Sequence, residues 1–392
     1  MREVYGDLHI HIGKAGGRPV KITASRKLDL KSIIYRDAPG KGLDLVGVVD
    51  CASTLVSAEI EDMLESGELA EHPRGGFKAA NGVLMIPACE VESREGIHLI
   101  IYLPNLRSIK GMQKFLRSRV KNMTLSTQKA DASACEFINL SLLLEGIFCP
   151  AHAFTPHRGA YGVWTDSLAR ELGRDISQVK VLELGLSADA DMADMIAETR
   201  NFTFLANSDA HSPANIGREY NLFRMGQLNF EELRYCIENK DGRRLIANYG
   251  MDPLLGKYHR SFCPQCSTIA TEPAPVFSCP HCGGTKMIMG VYDRITAIRD
   301  YEEPHHPVGR APYFYRVPLK ELPGVGPKTM EKLRTVFRNE IELVERAGIN
   351  DIKQVAGDFL AGMIYQMRVA RLEINPGGGG FYGSVKKNNC QQ

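Results

Sequence analysis

Residues 3–12 read EVYGDLHIHI, an apolar run carrying Asp7-Leu8-His9-Ile10-His11. In a β-strand the side chains alternate, so His9 and His11 point to the same side and can reach one ion. Asp7 joins them in the candidate ligand set; the plainer alternative is a pair of surface or core histidines. Six further apolar runs follow: DLVGVVDC (44–51), GVLMIPACEV (82–91), IHLIIYLP (97–104), GIFCPAHAF (146–154), VKVLELGL (179–186) and FTFLANSDAH (202–211). Helical patterns lie between them at 57–72, 108–123, 135–147 and 189–200. This alternation predicts an α/β architecture with parallel strands, either a barrel or an open sheet. Polar residues such as Asp50, Glu90 and Asp209 close the apolar runs, which puts them at strand ends, where α/β folds assemble active sites.

Of the eleven histidines, five (His9, His11, His98, His152 and His211) fall at these strand ends. Imidazoles combined with the carboxylates of Glu90 and Asp209 suit Zn²⁺, Mn²⁺ or Fe²⁺, and one carboxylate can bridge two ions. Two metals about 3.5–4 Å apart fit in-line displacement at phosphorus, one generating hydroxide while the pair stabilises the transition-state charge. The alternative is a set of hydrogen-bonded core histidines.

The chain changes character near residue 251. Cys263-Pro-Gln-Cys266 and Cys279-Pro-His-Cys282 have the spacing of a zinc ribbon, in which each pair forms one knuckle of a tetrahedral thiolate site. The other six cysteines (Cys51, Cys89, Cys135, Cys149, Cys236 and Cys390) are scattered and read as buried thiols of a reducing compartment. That compartment also disfavours two disulfides as the reading of the paired cysteines. Leu322-Pro-Gly-Val-Gly-Pro-Lys328 carries the helix-hairpin-helix signature. Gly324 and Gly326 permit close backbone approach, helix-start amides face a DNA phosphate, and Lys328 adds charge; Leu322 and Val325 complete the candidate DNA-binding set. An ordinary αα-hairpin is the alternative, and 349–372 reads as a degenerate second hairpin. Tyr313, Phe314 and Tyr315 suit either base stacking or core filling. NPGGGGFYG (375–383) reads as a flexible tail.

Composition limits the function classes. The 392 residues are 44% hydrophobic and 24% charged, and no apolar run approaches the about 18–20 residues of a membrane helix. The N-terminus lacks a basic region followed by an apolar core, so a cytoplasmic protein without a membrane anchor is expected. The net charge is +2, but residues 251–392 hold 18 Lys+Arg against 14 Asp+Glu, a mildly basic half that permits phosphate contacts.

DLHIH (7–11), ACEVESREGIHL (88–99), CPAH (149–152) and NSDAH (207–211) resemble, in this order, the motifs of the polymerase-and-histidinol-phosphatase (PHP) superfamily over roughly residues 1–250. The resemblance implies a distorted (β/α)7 barrel with two or three metals at the strand C-termini. By position, His9, His11, Glu90 and Asp209 would hold one metal. Glu90 would bridge to a second held by His98 and His152, and His211 would contribute to a third. The sequence departs from the pattern at Gly13–Gly16, where a further His is usual, and at Val49-Asp50-Cys51, where Thr-Asp-His is usual. Asp50, or less readily Cys51, is the candidate replacement at the third site. Lys14 and His157 lie near these motifs as candidate phosphate contacts, or as an ordinary surface lysine and loop histidine.

A PHP barrel (1–250), a four-cysteine zinc module (251–290) and a helical helix-hairpin-helix domain with a Gly-rich tail (291–392), in this order, resemble the endonuclease Q family along nearly the whole chain. That resemblance implies a DNA repair endonuclease. It would cut 5′ of uracil, hypoxanthine, xanthine or an abasic site in DNA, by metal-hydroxide attack with Glu90 and Asp209 as catalytic residues. It also implies Zn²⁺ in the active site, with Mn²⁺ or Mg²⁺ as substitutes, and one structural Zn²⁺. A PHP-type 3′–5′ exonuclease or phosphatase is the alternative, and a non-catalytic binder with a degenerate metal site is the third reading.

Overall fold

The computed structural model describes residues 1–387, so Cys390 lies outside it. Each of the seven apolar runs forms a strand. β1 (Arg2–Ile10) pairs in parallel with β2 (Leu45–Val48), and β2 with β3 (Leu84–Glu92). β4 (His98–Tyr102) runs antiparallel between β3 and β5 (Ile147–Pro150). β6 (Val181–Glu183) and β7 (Thr203–Leu205) pair in parallel. Backbone hydrogen bonds close the ring, from Ala153 N to Glu183 O (2.8 Å) and from His11 N to Ala210 O (3.1 Å). The reversed β4 distorts the barrel: only five residues separate it from β3, enough for a hairpin but not for a crossover. One buried cluster takes a residue from every strand of the ring (Leu8, Leu45, Leu84, Ile100, Ile147, Val181, Leu205) and forms the barrel core.

The covering helices start where the sequence provides caps. α1 (Thr54–Glu65) buries Val56, Ile60 and Met63. α2 (Leu106–Leu116) begins at Asn105, whose side chain accepts from Ser108 N, and α3 (Ala134–Leu143) begins with a Ser133–Glu136 capping box. The helix expected over 189–200 is broken into Ala190–Ala193 and a 3₁₀ turn at Ala197–Asn201. The fully buried Asp194 lies between these pieces, held by the Arg310 guanidinium at 2.7 and 2.8 Å and by His306 at 2.7 Å. Tertiary ion pairing overrides local helical periodicity here.

β8 (Tyr220–Met225) and β9 (Arg244–Gly250) extend the sheet antiparallel from β1, and β10 (Tyr313–Tyr315) adds in parallel to β9. The aromatic triplet is thus a strand: Tyr315 donates to Asp189 at 2.8 Å, and Phe314 packs on Tyr249. α4 (Val291–Ile298) buries Val291 and Ile295 against the barrel's outer core. Residues 291–315, grouped with the helical module in the sequence reading, therefore pack on the barrel.

The helical module has its own core, including Val317, Leu322, Leu333, Leu360 and Ile364. α5 (Pro327–Val336) follows the Gly-rich turn, and the helix before that turn is only a 3₁₀ turn at Leu319–Glu321. α6 (Ile349–Arg368) is two helices joined at Gly357, whose φ of +85° suits glycine. Arg316 clamps Glu345 bidentately at 2.6 and 2.7 Å, and Tyr220 donates to the same carboxylate, tying the module to the barrel. The tail expected to be flexible is instead held by backbone bonds from Gly377 N to Leu254 O and from Gly383 N to Leu255 O.

Glu219 is fully buried where barrel and module meet. Its Oε1 accepts from Met251 N at 2.7 Å, and its Oε2 has no hydrogen-bond partner. Burial pushes its pKa up to about 8. The folded protein thus keeps this proton while the unfolded chain sheds it near the ordinary value of 4.5. The group's contribution to stability falls as pH rises from 4.5 to about 8 and is flat above. Glu219→Gln, which keeps the shape without the charge, is expected to stabilise the protein by about 2–4 kcal/mol at pH 9 and by almost nothing at pH 4. Unfolding midpoints at the two pH values check this.

Candidate metal centre

Six of the candidate ligands converge at one end of the barrel. His9 closes β1, with His11 one residue past it. Glu90 lies in β3, His98 opens β4, and His152 and Asp209 follow β5 and β7. His152 (φ +30°) and Asp209 (φ +45°) adopt left-handed backbone, a cost for non-glycine residues that recurs where a turn must aim a side chain. Gly185 makes room for the first of these turns, since a Cβ there would lie 2.8 Å from the His152 Cβ.

The donor atoms form linked groups. His9 Nε2 and His11 Nε2 are 3.3 Å apart, and Asp209 Oδ1 is 3.4 Å from each. Glu90 spans two clusters: Oε1 lies 2.9 Å from His98 Nδ1 and 3.5 Å from His152 Nε2, while Oε2 lies 3.4 Å from His11 Nε2. His211 Nδ1 is 3.4 Å from Asp209 Oδ1. Three overlapping sets could each hold an ion: His9–His11–Glu90, His11–Asp209–His211 and Glu90–His98–His152.

Outer residues orient the rings. His9 Nδ1 meets both Glu183 oxygens at 3.0 Å, and His11 Nδ1 meets Asp50 at 3.0 and 3.2 Å. With both Nδ1–H groups donating outward to carboxylates, the two Nε2 atoms turn inward, where a bound cation would take their lone pairs in place of a proton. Burial alone would raise the Glu90 pKa, but Lys21 and His98 hold it well below the carboxylate range. His9 and His11 do the same for Asp209 against burial. Burial disfavours charge on His9, yet Glu183 and Asp209 outweigh it and raise its pKa to about 10. Burial and the neighbouring His11 lower His211 to about 4. Two ionised carboxylates enclosed by imidazole nitrogens demand positive charge between them. The nitrogen and oxygen donor set therefore fits divalent metal.

Two of the candidate ligands lie outside the cage. Asp7 is fully buried and occupied by backbone: Ser208 N and His9 N donate to Oδ1 at 3.1 and 3.4 Å, and Gly217 N to Oδ2 at 2.9 Å. Asp50 accepts from Ile12 N at 2.6 Å besides orienting His11, so it supports a ligand. Cys51 is buried and donates to Val48 O, and burial pushes its thiol up to about 12. Lys14 pairs with Asp29, and His157 packs edge-on against Tyr258.

Three contributors escaped the sequence reading. Glu183 ends β6 but is followed by Leu184 and Leu186 within the apolar run VKVLELGL, so it is not visible as a strand end in the sequence. Lys21 Nζ sits 3.3 Å from Glu90 Oε2, and Thr127 donates to that oxygen at 2.8 Å; neither residue lies in a recognisable pattern. Lys21, Thr127, Arg158 and His211 line the cleft onto which the cage opens. Glu183→Gln is expected to weaken metal retention and catalysis about 10–100-fold. Metal titration followed by elemental analysis checks the first, and the rate of phosphoester hydrolysis the second.

The four cysteines also converge, with Cys263 and Cys282 sulfurs 3.7 Å apart and Cys266 and Cys279 sulfurs 3.4 Å apart. Backbone N–H groups of Cys282 and His281 lower the Cys279 pKa, favouring the thiolate that a metal needs. At the Leu322–Lys328 turn, Gly324, Gly326 and Lys328 are at the surface, and Val325 is half-buried against the module core. Leu322, expected among the DNA contacts, is 2% exposed and anchors the turn in the module core.

Residues 189–239 match the PHP-associated family. The chain is 37% identical over 391 residues to the uncharacterized protein YqxK of Bacillus subtilis (strain 168), covering 98% of this chain and 100% of that one. Its structure is similar to the lesion-specific endonuclease PfuEndoQ of Pyrococcus furiosus (TM-score 0.85, 33% identity), covering 98% of this chain and 95% of that one. It is similar to the same degree (TM-score 0.85, 33% identity) to an endonuclease Q in complex with a 27-mer duplex substrate bearing an abasic lesion at the active site. That match covers 100% of this chain and 98% of the other. With identity and fold shared from end to end, the chain belongs to the endonuclease Q family.

Proposed function

We propose that the protein is a metal-dependent DNA repair endonuclease that cuts the phosphodiester 5′ of a deaminated base or an abasic site. The observation that carries the reading is the convergence of His9, His11, Glu90, His98, His152 and Asp209 on one cleft in a chain whose whole length corresponds to a lesion-specific endonuclease. Family membership supports the choice of uracil, hypoxanthine, xanthine or an abasic site as the lesion.

Divalent metals bound in this cage would activate water and neutralise charge at phosphorus. Zn²⁺ suits the donors, and Mn²⁺ or Mg²⁺ are substitutes; the four cysteines suit a structural Zn²⁺. His9 and His11 would present Nε2, kept in place by Glu183 and Asp50. Glu90 would join the two ligand clusters, and Asp209, its side chain 30% exposed, would also orient the attacking water. Lys21 provides a fixed positive charge for a phosphate oxygen. At the helix-hairpin-helix turn, no side chain caps α5, so its first N–H groups remain for a second phosphate, with Lys328 beside them. Such contacts hold the backbone without reading sequence. No helix among the described residues is long and apolar enough to cross a membrane. The five described cysteines outside the four-cysteine cluster (Cys51, Cys89, Cys135, Cys149 and Cys236) are free thiols, which fits a reducing cytoplasm as the place of action.

Covalently closed circular DNA carrying uracil, compared with an undamaged circle and a 3′-recessed linear duplex, tests the reading. Nicking of the damaged circle alone is expected. Digestion confined to the recessed end would favour the exonuclease alternative.

A further inference from the structure

The Gly-rich sequence NPGGGGFYG forms a tight turn fixed over the junction of zinc module and barrel. Besides the bonds at Gly377 and Gly383, Gly380 N donates to Lys257 O at 3.2 Å, and Gly378 and Phe381 bond to each other across the turn. A Cβ at Gly378 would meet the Ile269 side chain at 2.5 Å, and one at Gly377 would meet Gly383 N at the same distance. Bare backbone therefore packs against the zinc module, and the turn projects the next two residues.

Those residues are aromatic. Tyr382 is anchored: its hydroxyl accepts from Arg218 Nη1 at 2.9 Å, and Lys257 Nζ lies 4.5 Å from its ring centre. The buried Arg218 also donates from Nε to Ser208 O at 2.7 Å and reaches Asp209 O at 3.5 Å. One guanidinium thus spans from the aromatic turn to the backbone of a candidate metal ligand. Phe381, by contrast, is 79% exposed. A bare phenyl ring on a clamped turn, next to a tyrosine that one arginine ties to the cage, matches nucleic acid as its occupant. The half-buried Lys257 beside the turn suits a phosphate, and the ring suits the faces of bases.

Resting on the endonuclease reading, we propose that Phe381 is a wedge that enters the base stack as the lesion nucleotide leaves the duplex. Extrusion strips stacking contacts from the neighbouring bases. A phenyl ring restores part of that contact, and having no hydrogen bonds to satisfy it accepts any neighbouring base. Because the turn is already fixed, little chain entropy is lost on insertion. Tyr382, Arg218 and Lys257 are positioning residues that hold the ring beside the scissile phosphate.

The test compares one lesion in two settings, a fully paired duplex and an unpaired bubble, by single-turnover nicking with the metal-loaded full-length protein. Phe381→Ala is expected to lose about tenfold or more on the paired duplex, the order of one base–aromatic stack, and almost nothing on the bubble. Phe381→Leu, which retains apolar bulk, is expected to keep most of the duplex activity. Equal losses on both substrates, or no loss on either, would overturn the wedge and leave the endonuclease reading standing, since the wild type still nicks. A wild type inert on both substrates would overturn the endonuclease reading itself.

Discussion

Glu90→Gln is expected to release the barrel metals and to slow DNA nicking by at least on the order of 10³-fold, with the fold intact. The reason is Glu90's place between two groups of nitrogens. One oxygen faces His98 and His152, and the other faces His11, Lys21 and Thr127. A carboxylate accepts on both sides, whereas an amide must turn an N–H₂ group toward one of them. It then either donates to an imidazole nitrogen, tying up a lone pair that an ion would need, or abuts the Lys21 ammonium, and it removes the negative charge that a shared ion requires. Elemental analysis should show loss of the barrel ions while the four-cysteine zinc remains. A Glu90→Gln variant that retains both its full metal content and its activity would remove Glu90 from the centre of the site.

The second large effect is expected from Cys279→Ser. The regular structure of the zinc module is a 3₁₀ turn at Pro253–Leu255 and the two-residue strands Phe262–Cys263 and Thr268–Ile269, too little to hold the module together. Zinc binding to such modules is worth about 10–16 kcal/mol and is in large part their folding energy. Replacing a thiolate with a hydroxyl forfeits most of it. The module also supports the Gly-rich turn, through Ile269 against Gly378 and Phe262 against Gly379. The variant should therefore lose one zinc, expose residues 263–290 to protease and bind duplex DNA weakly. Its barrel should keep its metals, because Glu183 and Asp50, both in the barrel, orient the His9 and His11 rings. Normal DNA affinity in a zinc-deficient variant would separate the module from DNA binding.

The barrel strands were legible because each is an apolar run of strand length with a polar residue at or near one end. The ligand cage was legible for the same reason, as Glu90, His152 and Asp209 stand where the apolar runs stop. What escaped has physical causes. Asp7 follows the alternation of His9 and His11, but three backbone N–H groups claim its oxygens, and no sequence pattern shows where Ser208 or Gly217 will lie. Asp50 stands where a ligand belongs by position, yet its geometry makes it a partner of the His11 ring. Lys21 reaches Glu90 from a loop without periodicity. The helix expected at 189–200 gave way to the Asp194–Arg310 ion pair, whose members are separated by more than a hundred residues. A run of four glycines suggested flexibility, but close packing against Ile269 and Phe262 also requires glycine, and composition does not distinguish the two.

The central claim is that this cage performs lesion-directed cutting. The most direct measurement incubates metal-loaded protein with an end-labelled duplex holding one internal deoxyuridine, beside an undamaged duplex, with wild type and Asp209→Ala in parallel. A single nick immediately 5′ of the deoxyuridine, absent from the undamaged duplex and lost in the variant, is the predicted result. A ladder of products from the 3′ end on both duplexes, or a nick that survives in Asp209→Ala, would contradict it.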